Sequence, residues 1–213
     1  MGTSHLINYT VQRISAGLAK PFIIEHHYSH GCHNGPMTWG LFDNENLIGV
    51  IAFATPCSEN VRKSVFGEWG KKGVTELHRL VILDVTPKNT ESWFIAEALR
   101  QLKKERPYIN AVISFADGTE GHRGVIYQAS NFLFCGTTSP ARFFLDPDGR
   151  LRHPRQNGTN ISLQEAEVRG WTPVRRDSKY RYVKLLPDNK SHKKILMANF
   201  RLDIQEYPKG GPE

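Results

Sequence analysis

Two apolar stretches of the chain have the composition of strands that are buried inside a sheet. Residues 74–83 (VTELHRLVIL) and 111–115 (AVISF) are dense in β-branched and other apolar side chains, and Asp117 follows the second stretch. A Gly-rich turn comes next, then a predicted helix that carries Tyr127 and a predicted strand at 132–136. A strand that ends in a carboxylate and leads into a helix often places chemistry at a sheet edge, although an ordinary core unit has the same pattern.

The N-terminal part of the chain alternates between helical and strand-like spacing. Residues 9–20 carry apolar side chains at helical spacing, which predicts a helix that ends before Pro21, followed by a short extended piece at 22–24. Residues 38–42 and 47–54 flank a polar turn and predict a β-hairpin.

The remaining pattern completes a mixed α/β chain. Residues 57–73 are polar and contain glycine, which predicts a surface loop or a frayed helix. Thr90 is the expected N-cap of a helix at 91–104. Further short elements are predicted at 141–145, 162–170, 179–186 and 194–200. We therefore expect an α/β fold with a mixed central sheet flanked by helices.

Length and composition are consistent with one domain over residues 1–213. The chain is 39% hydrophobic, enough to bury one substantial core. Its three cysteines are odd in number and widely spaced, which argues against a disulfide framework or a zinc ribbon and favours a reducing compartment. No apolar run has the length of a membrane span, so no membrane partner is expected and the cytoplasm is the predicted location.

The net charge of +7 is concentrated in the last third of the chain. Residues 150–213 hold 14 Lys and Arg against 7 Asp and Glu, whereas residues 1–149 hold 14 of each. Aromatic residues interrupt this basic segment, a combination that suits a polyphosphate backbone and its exposed bases. We expect residues 150–213 to form a basic C-terminal extension that faces DNA, with a solvated basic surface as the alternative.

The loop that begins at His26 is dense in histidine and contains Cys32. Imidazole and thiol groups are ligands for zinc or iron, and His27 and His30 are the candidate ligands if a metal is bound. Nearly adjacent residues rarely supply three ligands to one ion. A loop that handles protons or contacts base edges is the favoured interpretation.

The order of the predicted elements resembles the GNAT N-acetyltransferase fold. The segment YQASNF, which starts at Tyr127, resembles the GNAT pattern in which a tyrosine precedes a Gly/Asn-Phe pair. The resemblance implies an acyl-CoA-type donor and a tyrosine that protonates the leaving thiolate. The chain departs from that pattern at residues 84–92 (DVTPKNTES), where GNAT enzymes have a Gly-rich turn for the donor's pyrophosphate. Lys88 and the predicted helix N-terminus remain candidates for anion binding.

A narrower resemblance rests on four motifs in order, HHYS, ELHRL, SFAD and YQASNFLFCG, with YPK near the C-terminus. Together they resemble the Mom family of phage DNA-modification proteins, which are divergent GNAT-like proteins. The resemblance implies conversion of DNA adenine to N6-carbamoylmethyl (acetamido) adenine, which protects phage DNA from host restriction in the bacterial cytoplasm. It also implies five candidate catalytic residues: His27, Tyr28, Arg79, Asp117 and Tyr127.

The chemistry of these side chains is compatible with that activity, and each also has a structural interpretation. Asp117 is suited to accept a proton or to orient the adenine amino group, and Arg79 to pair with Asp117 or to bind an anionic group of the donor. A structural ion pair and a core tyrosine are the alternatives. The candidate substrate-binding residues are Trp39, Lys88, Ser114, Arg175, Arg176 and Lys179.

The expected partners are double-stranded DNA and a small-molecule donor, and the chain is a candidate oligomer. The N6 amino group of adenine is paired inside a duplex, so the base must be flipped out, with an aromatic residue such as Tyr28, Trp39 or Phe115 stacking on it. Two alternatives remain open. One is a GNAT acyltransferase that acts on a protein or small-molecule amine, and the other is a non-catalytic nucleic-acid-binding protein.

Overall fold

The computed structural model describes residues 9–32, 36–156 and 159–209. Strands alternate with helices through most of these residues. In chain order the strands are β1 (Tyr9–Ile14), β2 (Met37–Asp43), β3 (Asn46–Ala54), β4 (Val74–Ile82), β5 (Ala111–Asp117), β6 (Leu133–Thr137), β7 (Ala141–Leu145), β8 (Leu151–Arg152), β9 (Arg155–Gln156), β10 (Thr159–Asn160), β11 (Thr172–Arg176) and β12 (Lys179–Leu185).

The helices are α1 (Ala16–His26), α2 (Glu59–Phe66), α3 (Gly70–Gly73), α4 (Thr90–Glu105), α5 (Val125–Ala129), α6 (Leu163–Val168) and α7 (Lys190–Asn199). Short 3-10 turns lie at Gly67–Trp69 and Gly118–Glu120. Among these elements no helix combines the length and apolarity needed to cross a membrane.

Seven strands form the main sheet in the order β1-β2-β3-β4-β5-β12-β6. Neighbouring strands are antiparallel except β4 and β5, which are parallel. This confirms the expected mixed central sheet. Strand β12 comes from the basic last third of the chain and lies between β5 and β6, so that segment contributes to the sheet as well as to the surface.

Helices cover both faces of the sheet, which explains why β3 and β5 are apolar along most of their length. On one face, α4 packs through Phe94 and Ala98 against Ile51, Val112 and their neighbours. On the other face, α1 packs on β3, while α2 and α7 pack on β4, β5 and β12. The alternation of side chains along each strand therefore divides the core between two faces.

The prediction for the N-terminal region is wrong. Residues 9–20 do not form one helix, because β1 pairs with β2 along its whole length and α1 starts only after Ser15, whose side chain accepts a hydrogen bond from Leu18 N–H. Pro21 lies inside α1, and the expected extended piece at 22–24 is helical. Fully buried Ala19 and Ile23 anchor α1 on β3, and this packing overrides the helix-breaking tendency of proline.

Two smaller expectations are also corrected. Residues 57–73 contain α2, and Val65 and Phe66 in that helix are buried in the core rather than lying in a surface loop. The N-cap of α4 is Asn89, which has a left-handed backbone conformation and makes no side-chain cap hydrogen bond, while Thr90 is the first helical residue. By contrast, Ser162 caps α6 with a capping box.

The three-stranded sheet β11-β7-β8 forms a smaller unit beside the main sheet. Strand β7 pairs antiparallel with β11 on one side and with β8 on the other, and α6 packs against β11. Arg176 at the end of β11 reaches the end of β5, where it pairs with Asp117 at 3.0 Å. The basic last third thus contacts the main sheet at the end of the strand singled out by the sequence.

Candidate active site

A cavity opens where β4 and β5 separate. The two strands pair in parallel only from Val74 and Ala111 to Leu77 and Ser114. Beyond that point, the second half of β4 and the end of β5 line a cavity of about 610 Å³, together with the His27 loop and α5. This volume lies within the range of small-molecule sites, roughly 300–1,000 Å³.

All five candidate catalytic residues line this cavity, and so does Lys179. Their elements are far apart in the chain, since the histidine loop, β4, β5, α5 and β12 each contribute. The cavity-lining residues that carry polar side chains are His26, His27, Tyr28, Cys57, Glu76, His78, Arg79, Glu91, Asp117, His122, Tyr127 and Lys179.

A β-bulge at His78 shapes the β4 side of the cavity. Leu77 pairs with Phe53 and Arg79 pairs with Ala52, so His78 is an extra residue in β4. Both Glu76 and His78 line the cavity, with 3.7 Å between the Glu76 carboxylate and His78 Nδ1.

Arg79 does not pair with Asp117, which corrects one of the roles expected for it. Its Nε donates to the carbonyl of Gly31 at 2.7 Å, and its Nη1 donates to the carbonyl of His78 at 2.7 Å. Arg79 therefore ties the histidine loop to β4, and its charge acts on the groups around it. The guanidinium is one of the causes that lower the pKa of His27.

Asp117 is a buried carboxylate at the end of β5, and its side chain is 6% exposed. One oxygen accepts from the backbone N–H of Thr119 at 3.1 Å, and the other lies 3.0 Å from Arg176 and 3.4 Å from Lys179. Burial raises its pKa, but Lys179 and Arg176 outweigh burial and hold the pKa below its usual range. Asp117 is therefore ionised at neutral pH and accepts hydrogen bonds at the cavity wall.

His27 is a buried, neutral imidazole. Burial, followed by the charge of Arg79, lowers its pKa from 6.5 to about 4. The backbone N–H of Ser29 donates to Nδ1 at 3.1 Å, and an N–H group can only donate, so Nδ1 is the unprotonated nitrogen. The neutral ring must then carry its proton on Nε2. His27 therefore offers a hydrogen-bond donor, not a base with a pKa near 7.

Tyr28 lies between two imidazoles on the open side of the cavity. Its ring centroid is 4.4 Å from that of His27 and 5.3 Å from that of His122, and the residue is 47% exposed. Burial of its hydroxyl and the nearby charge of Asp117 raise its pKa. An exposed aromatic ring beside a buried carboxylate is suited to stack on a planar ligand.

Tyr127 forms the inner end of the cavity and is buried. Its pKa is raised to about 12, chiefly by burial, while a hydrogen bond with Ser114 opposes the change. Its ring packs 5.4 Å from Phe132 and 5.3 Å from Tyr182. Tyr127 therefore stays protonated at neutral pH and is held in one position by aromatic neighbours.

The loop between β5 and α5 requires glycine. Gly124 has φ of 80°, and a Cβ at this position would collide with the ring of Tyr182. The Tyr182 hydroxyl donates to the carbonyl of Arg123 and so holds the same loop from β12. This arrangement places His122 next to Tyr28.

The candidate substrate-binding residues separate into two groups. Lys179 lines the cavity, and Arg176 holds Asp117 from just outside it. Ser114 is buried behind the cavity, where its hydroxyl donates to the carbonyl of Leu77 at 2.9 Å and also bonds with Tyr127. Trp39, Lys88 and Arg175 do not line the cavity.

Trp39 is a core residue, which corrects its predicted role in stacking on a base. It is 1% exposed and packs edge-on against Phe53 at 5.6 Å, with the guanidinium of Arg13 over its ring. Lys88 is exposed in the turn before α4, and Arg175 is exposed on β11. Neither Lys88 nor Arg175 contributes to the cavity wall.

The suggested zinc or iron site at His27 and His30 is not supported. Within residues 9–32, 36–156 and 159–209, no group of three or more His, Cys, Asp and Glu is arranged to hold a metal ion. His27 Nδ1 accepts from Ser29, and His30 Nδ1 hydrogen-bonds the carbonyl of Ile24 at 2.8 Å. His33, in the same sequence motif, lies outside the described residues.

Sequence reasoning left His122 and Glu120 out of the site. His122 lines the cavity beside Tyr28, and Glu120 accepts from Arg176 at 2.8 Å. A usable signal was present, because both residues lie in the Gly-rich turn that directly follows Asp117. Turns that follow a strand end commonly carry site residues.

Solved structures with partial similarity are acetyltransferases. A Bacillus subtilis acetyltransferase in complex with CoA is 9% identical, with a TM-score of 0.46 over 84% of this chain and 97% of that chain. An N-acetyltransferase from Staphylococcus aureus Mu50 is 10% identical, with a TM-score of 0.49 over 83% of this chain and 97% of that chain.

Sequence similarity is more specific. A protein of Escherichia phage Mu named methylcarbamoylase mom is 31% identical over 207 residues, which cover 93% of this chain and 83% of that protein. The model of the Mom protein family matches residues 8–209. This match spans the histidine loop, β4, β5, α5 and β12, which together line the cavity. The resemblance found in the four sequence motifs is thereby confirmed, and the chain belongs to the Mom protein family.

Proposed function

We propose that this chain is a transferase that modifies adenine in DNA by placing a carbamoylmethyl group on N6. The observation that carries the proposal is the combination, in one cavity, of the ionised Asp117, the neutral His27 and the half-exposed ring of Tyr28. Membership of the Mom family supports the DNA-modifying activity, and the name of the phage Mu relative, methylcarbamoylase, supports transfer of a group built from a carbamoyl and a one-carbon unit.

The cavity favours a base that has been flipped out of the duplex. The N6 group of adenine is paired inside the helix, so an enzyme reaches it only when the nucleotide leaves the stack. Tyr28 supplies an aromatic face on the open side of the cavity, and Asp117 supplies a hydrogen-bond acceptor on its wall. Stacking on Tyr28 contributes about 1–3 kcal/mol for a base.

Asp117 would orient the amino group. As a carboxylate it only accepts hydrogen bonds, which matches the two N–H groups on N6. The amine is a weak nucleophile because its lone pair is delocalised into the ring. Bonding of one N–H to Asp117 raises the electron density on nitrogen. The nitrogen then bonds to the donor carbon as the bond from that carbon to its leaving group breaks, and the N–H proton passes to Asp117.

His27 would act as a hydrogen-bond donor to the reacting groups, and Tyr127 would do so once its hydroxyl proton turns from Ser114 toward the cavity. His27 carries its proton on Nε2, and Tyr127 is protonated because its pKa is about 12. Donors of this kind stabilise negative charge that develops on the leaving group or on the amide oxygen of the transferred group. Because both side chains are packed, little reorganisation is needed during the reaction.

The start of α4 has few free groups for the diphosphate of a coenzyme A donor. Thr90 N–H and its hydroxyl both donate to the carbonyl of Pro87, and the Ser92 hydroxyl donates to the carbonyl of Asn89. Glu91 lines the cavity and adds negative charge there. The proposed roles of Asp117, His27 and Tyr127 do not depend on coenzyme A as the donor.

Mass spectrometry of nucleosides tests the proposal. DNA from bacterial cells that express the chain should contain a deoxyadenosine heavier by a carbamoylmethyl group less one hydrogen. Cells with an Asp117→Ala variant should lack that nucleoside at equal levels of folded protein. If the expressing cells contain only unmodified adenine, the proposed activity is wrong. A modified nucleoside with the group on cytosine or guanine would instead refute the assignment to adenine.

A further inference from the structure

The small sheet carries two arginines directly opposite each other. Arg142 on β7 and Arg175 on β11 are register partners, and the next pair on the same face of the sheet is Phe144 and Pro173. Both arginines are exposed. Like charges in directly opposed positions of an antiparallel pair destabilise the sheet.

Three other arginines near this sheet are neutralised by acids. Arg152 pairs with Asp146 at 2.6 Å, Arg150 with Asp148 at 3.1 Å, and Arg176 with Asp117 and Glu120. Arg142 and Arg175 differ from these. Over residues 9–32, 36–156 and 159–209, neither guanidinium has an ion-pair or hydrogen-bond partner. Two adjacent cations without an acid leave room for an external anion.

The two guanidinium groups flank a shallow cavity of about 450 Å³. Besides the arginines, its lining residues are Pro140, Ala141, Pro173 and Val174. An arginine fork matches the geometry of a phosphate, and two forks across one cavity satisfy its oxygens from both sides. Proline and small apolar side chains leave the surface open to a bulky ligand.

We propose that Arg142 and Arg175 form a binding site for one phosphate of the DNA backbone. This inference rests on the proposed DNA-modifying function and adds the place where the duplex is held. The attraction of both arginines to a bridging phosphate outweighs their mutual repulsion, because each guanidinium then faces a negative charge. The site would bind DNA of any sequence, since phosphate contacts carry no base information.

Strand β11 carries this site directly beside the arginine that holds Asp117. Consecutive residues of a strand point to opposite faces, so Arg175 faces outward while Arg176 reaches Asp117. Their Cα atoms are about 3.8 Å apart. Strand β11 therefore presents one arginine to the backbone and the next to the carboxylate proposed to orient the target base.

Salt-dependent binding to a DNA duplex tests the site. The full chain and its Arg142→Ala, Arg175→Ala and double variants should be titrated with one duplex at several salt concentrations. Each single variant should bind DNA about tenfold more weakly at 0.1 M salt. The slope of log affinity against log salt concentration should be smaller for the double variant, by the amount expected for about one phosphate contact. The matched control is Arg100→Ala, which removes the same charge from an exposed arginine on α4 that pairs with Glu97.

Thermal unfolding separates binding from structure. If the arginines serve the fold, their removal lowers the melting temperature, whereas relief of like-charge repulsion leaves it unchanged or raises it. Wild-type affinity and salt slope in the double variant would overturn the site. A loss equal to that of Arg100→Ala would overturn it as well, because the effect would then be one of net charge alone.

The same samples distinguish this inference from the proposed function. Suppose that wild-type protein yields no modified adenine, but the salt dependence of DNA binding by the double variant falls by about one phosphate contact. The phosphate site then stands and the activity is wrong. If wild-type protein modifies adenine while both arginine variants bind like wild type, the activity stands and the phosphate site is wrong.

Discussion

Two aspartates in this structure have nearly the same surroundings but belong to different regions. Asp117 ends β5 in the main sheet, and Asp146 follows β7 in the small sheet, and both side chains are 6% exposed. Each accepts a hydrogen bond at 3.1 Å from the backbone N–H two residues further along the chain. Each also pairs with an arginine, Arg176 and Arg152 respectively, and each has a lowered pKa.

The two regions differ in where the partners come from. Asp146 is bonded by Arg150 N–H and by the side chain of Arg152, so its partners lie within one short hairpin. Arg176 reaches Asp117 from β11, and Lys179 adds a second cation from β12. Asp146 closes a local turn, whereas Asp117 joins the two sheets.

The difference teaches that a buried, arginine-paired carboxylate does not by itself identify a catalytic group. Structural ion pairs lower a pKa in the same way as functional ones. Asp117 stands out because it lines a cavity with His27, Tyr28 and Tyr127, whereas Asp146 does not line that cavity. Convergence of unlike groups on one space is the stronger indicator of chemistry.

The largest expected effect comes from removing one carboxylate charge in each region. Asp117→Asn should lower adenine modification about 1,000-fold, because the amide no longer provides a purely accepting group for N6. Asp146→Asn should leave modification near wild type and reduce only stability. Nucleoside mass spectrometry measures the first effect, and thermal unfolding measures the second.

Equal loss of activity in the two variants, at equal content of folded protein, would break the comparison. Circular dichroism provides the content of folded protein. Retention of activity by Asp117→Asn would remove that residue from the proposed chemistry while leaving its structural role intact.

The next effect concerns stability against acid in the cavity region. The folded-state pKa of His27 is about 4, below the 6.5 of an unfolded histidine, so the unfolded chain binds a proton first as the pH falls. The stability associated with neutral His27 is therefore complete above about pH 6.5 and is lost between there and pH 4. The loss amounts to about 3 kcal/mol.

Urea unfolding of wild type and His27→Gln between pH 7 and 4 measures this contribution. The variant should show a flatter dependence on pH, since it lacks the titrating ring. Asp146→Asn should keep the wild-type slope between pH 7 and about pH 5, because aspartates titrate below that range. Identical slopes for wild type and His27→Gln would show that the imidazole is not held neutral by the fold.

The smallest expected effect separates the two arginine partners. Arg176→Gln should raise the pKa of Asp117, although Lys179 remains as a partner of that carboxylate. The variant should also modify adenine about tenfold more slowly at neutral pH. The acid limb of the variant's pH–activity profile should move to higher pH. Arg152→Gln should leave that profile unchanged, and a shift of equal size in both variants would contradict a positioning role for Arg176.

The sequence was most informative where its signals were local. The motifs around His27, Arg79, Asp117 and Tyr127 identified the family and the residues that converge on the cavity. The apolar density of β4 and β5 predicted their burial, since strands covered on both faces lack polar alternation. The capping box of α6 was also readable, because it needs only residues three positions apart.

Long-range packing decided the features that the sequence predicted wrongly or did not indicate. Apolar spacing at residues 9–20 fitted a helix, but pairing with β2 made the first half a strand. Trp39 was predicted to stack on a base, yet it is buried in the core on one face of the sheet. Pairing of Asp117 with Arg176 rather than Arg79 follows from the register of β11 and β12, which no local pattern encodes.

By itself, then, the sequence determined the family, the strand–helix content around the site and the identities of its polar groups. Only the tertiary structure decided which charges meet, that His27 is neutral, and that Arg142 and Arg175 face each other. The physical reason is that burial and cross-strand register depend on residues distant in the chain. The charge and pKa of a side chain follow from that environment, whereas its type is given directly by the sequence.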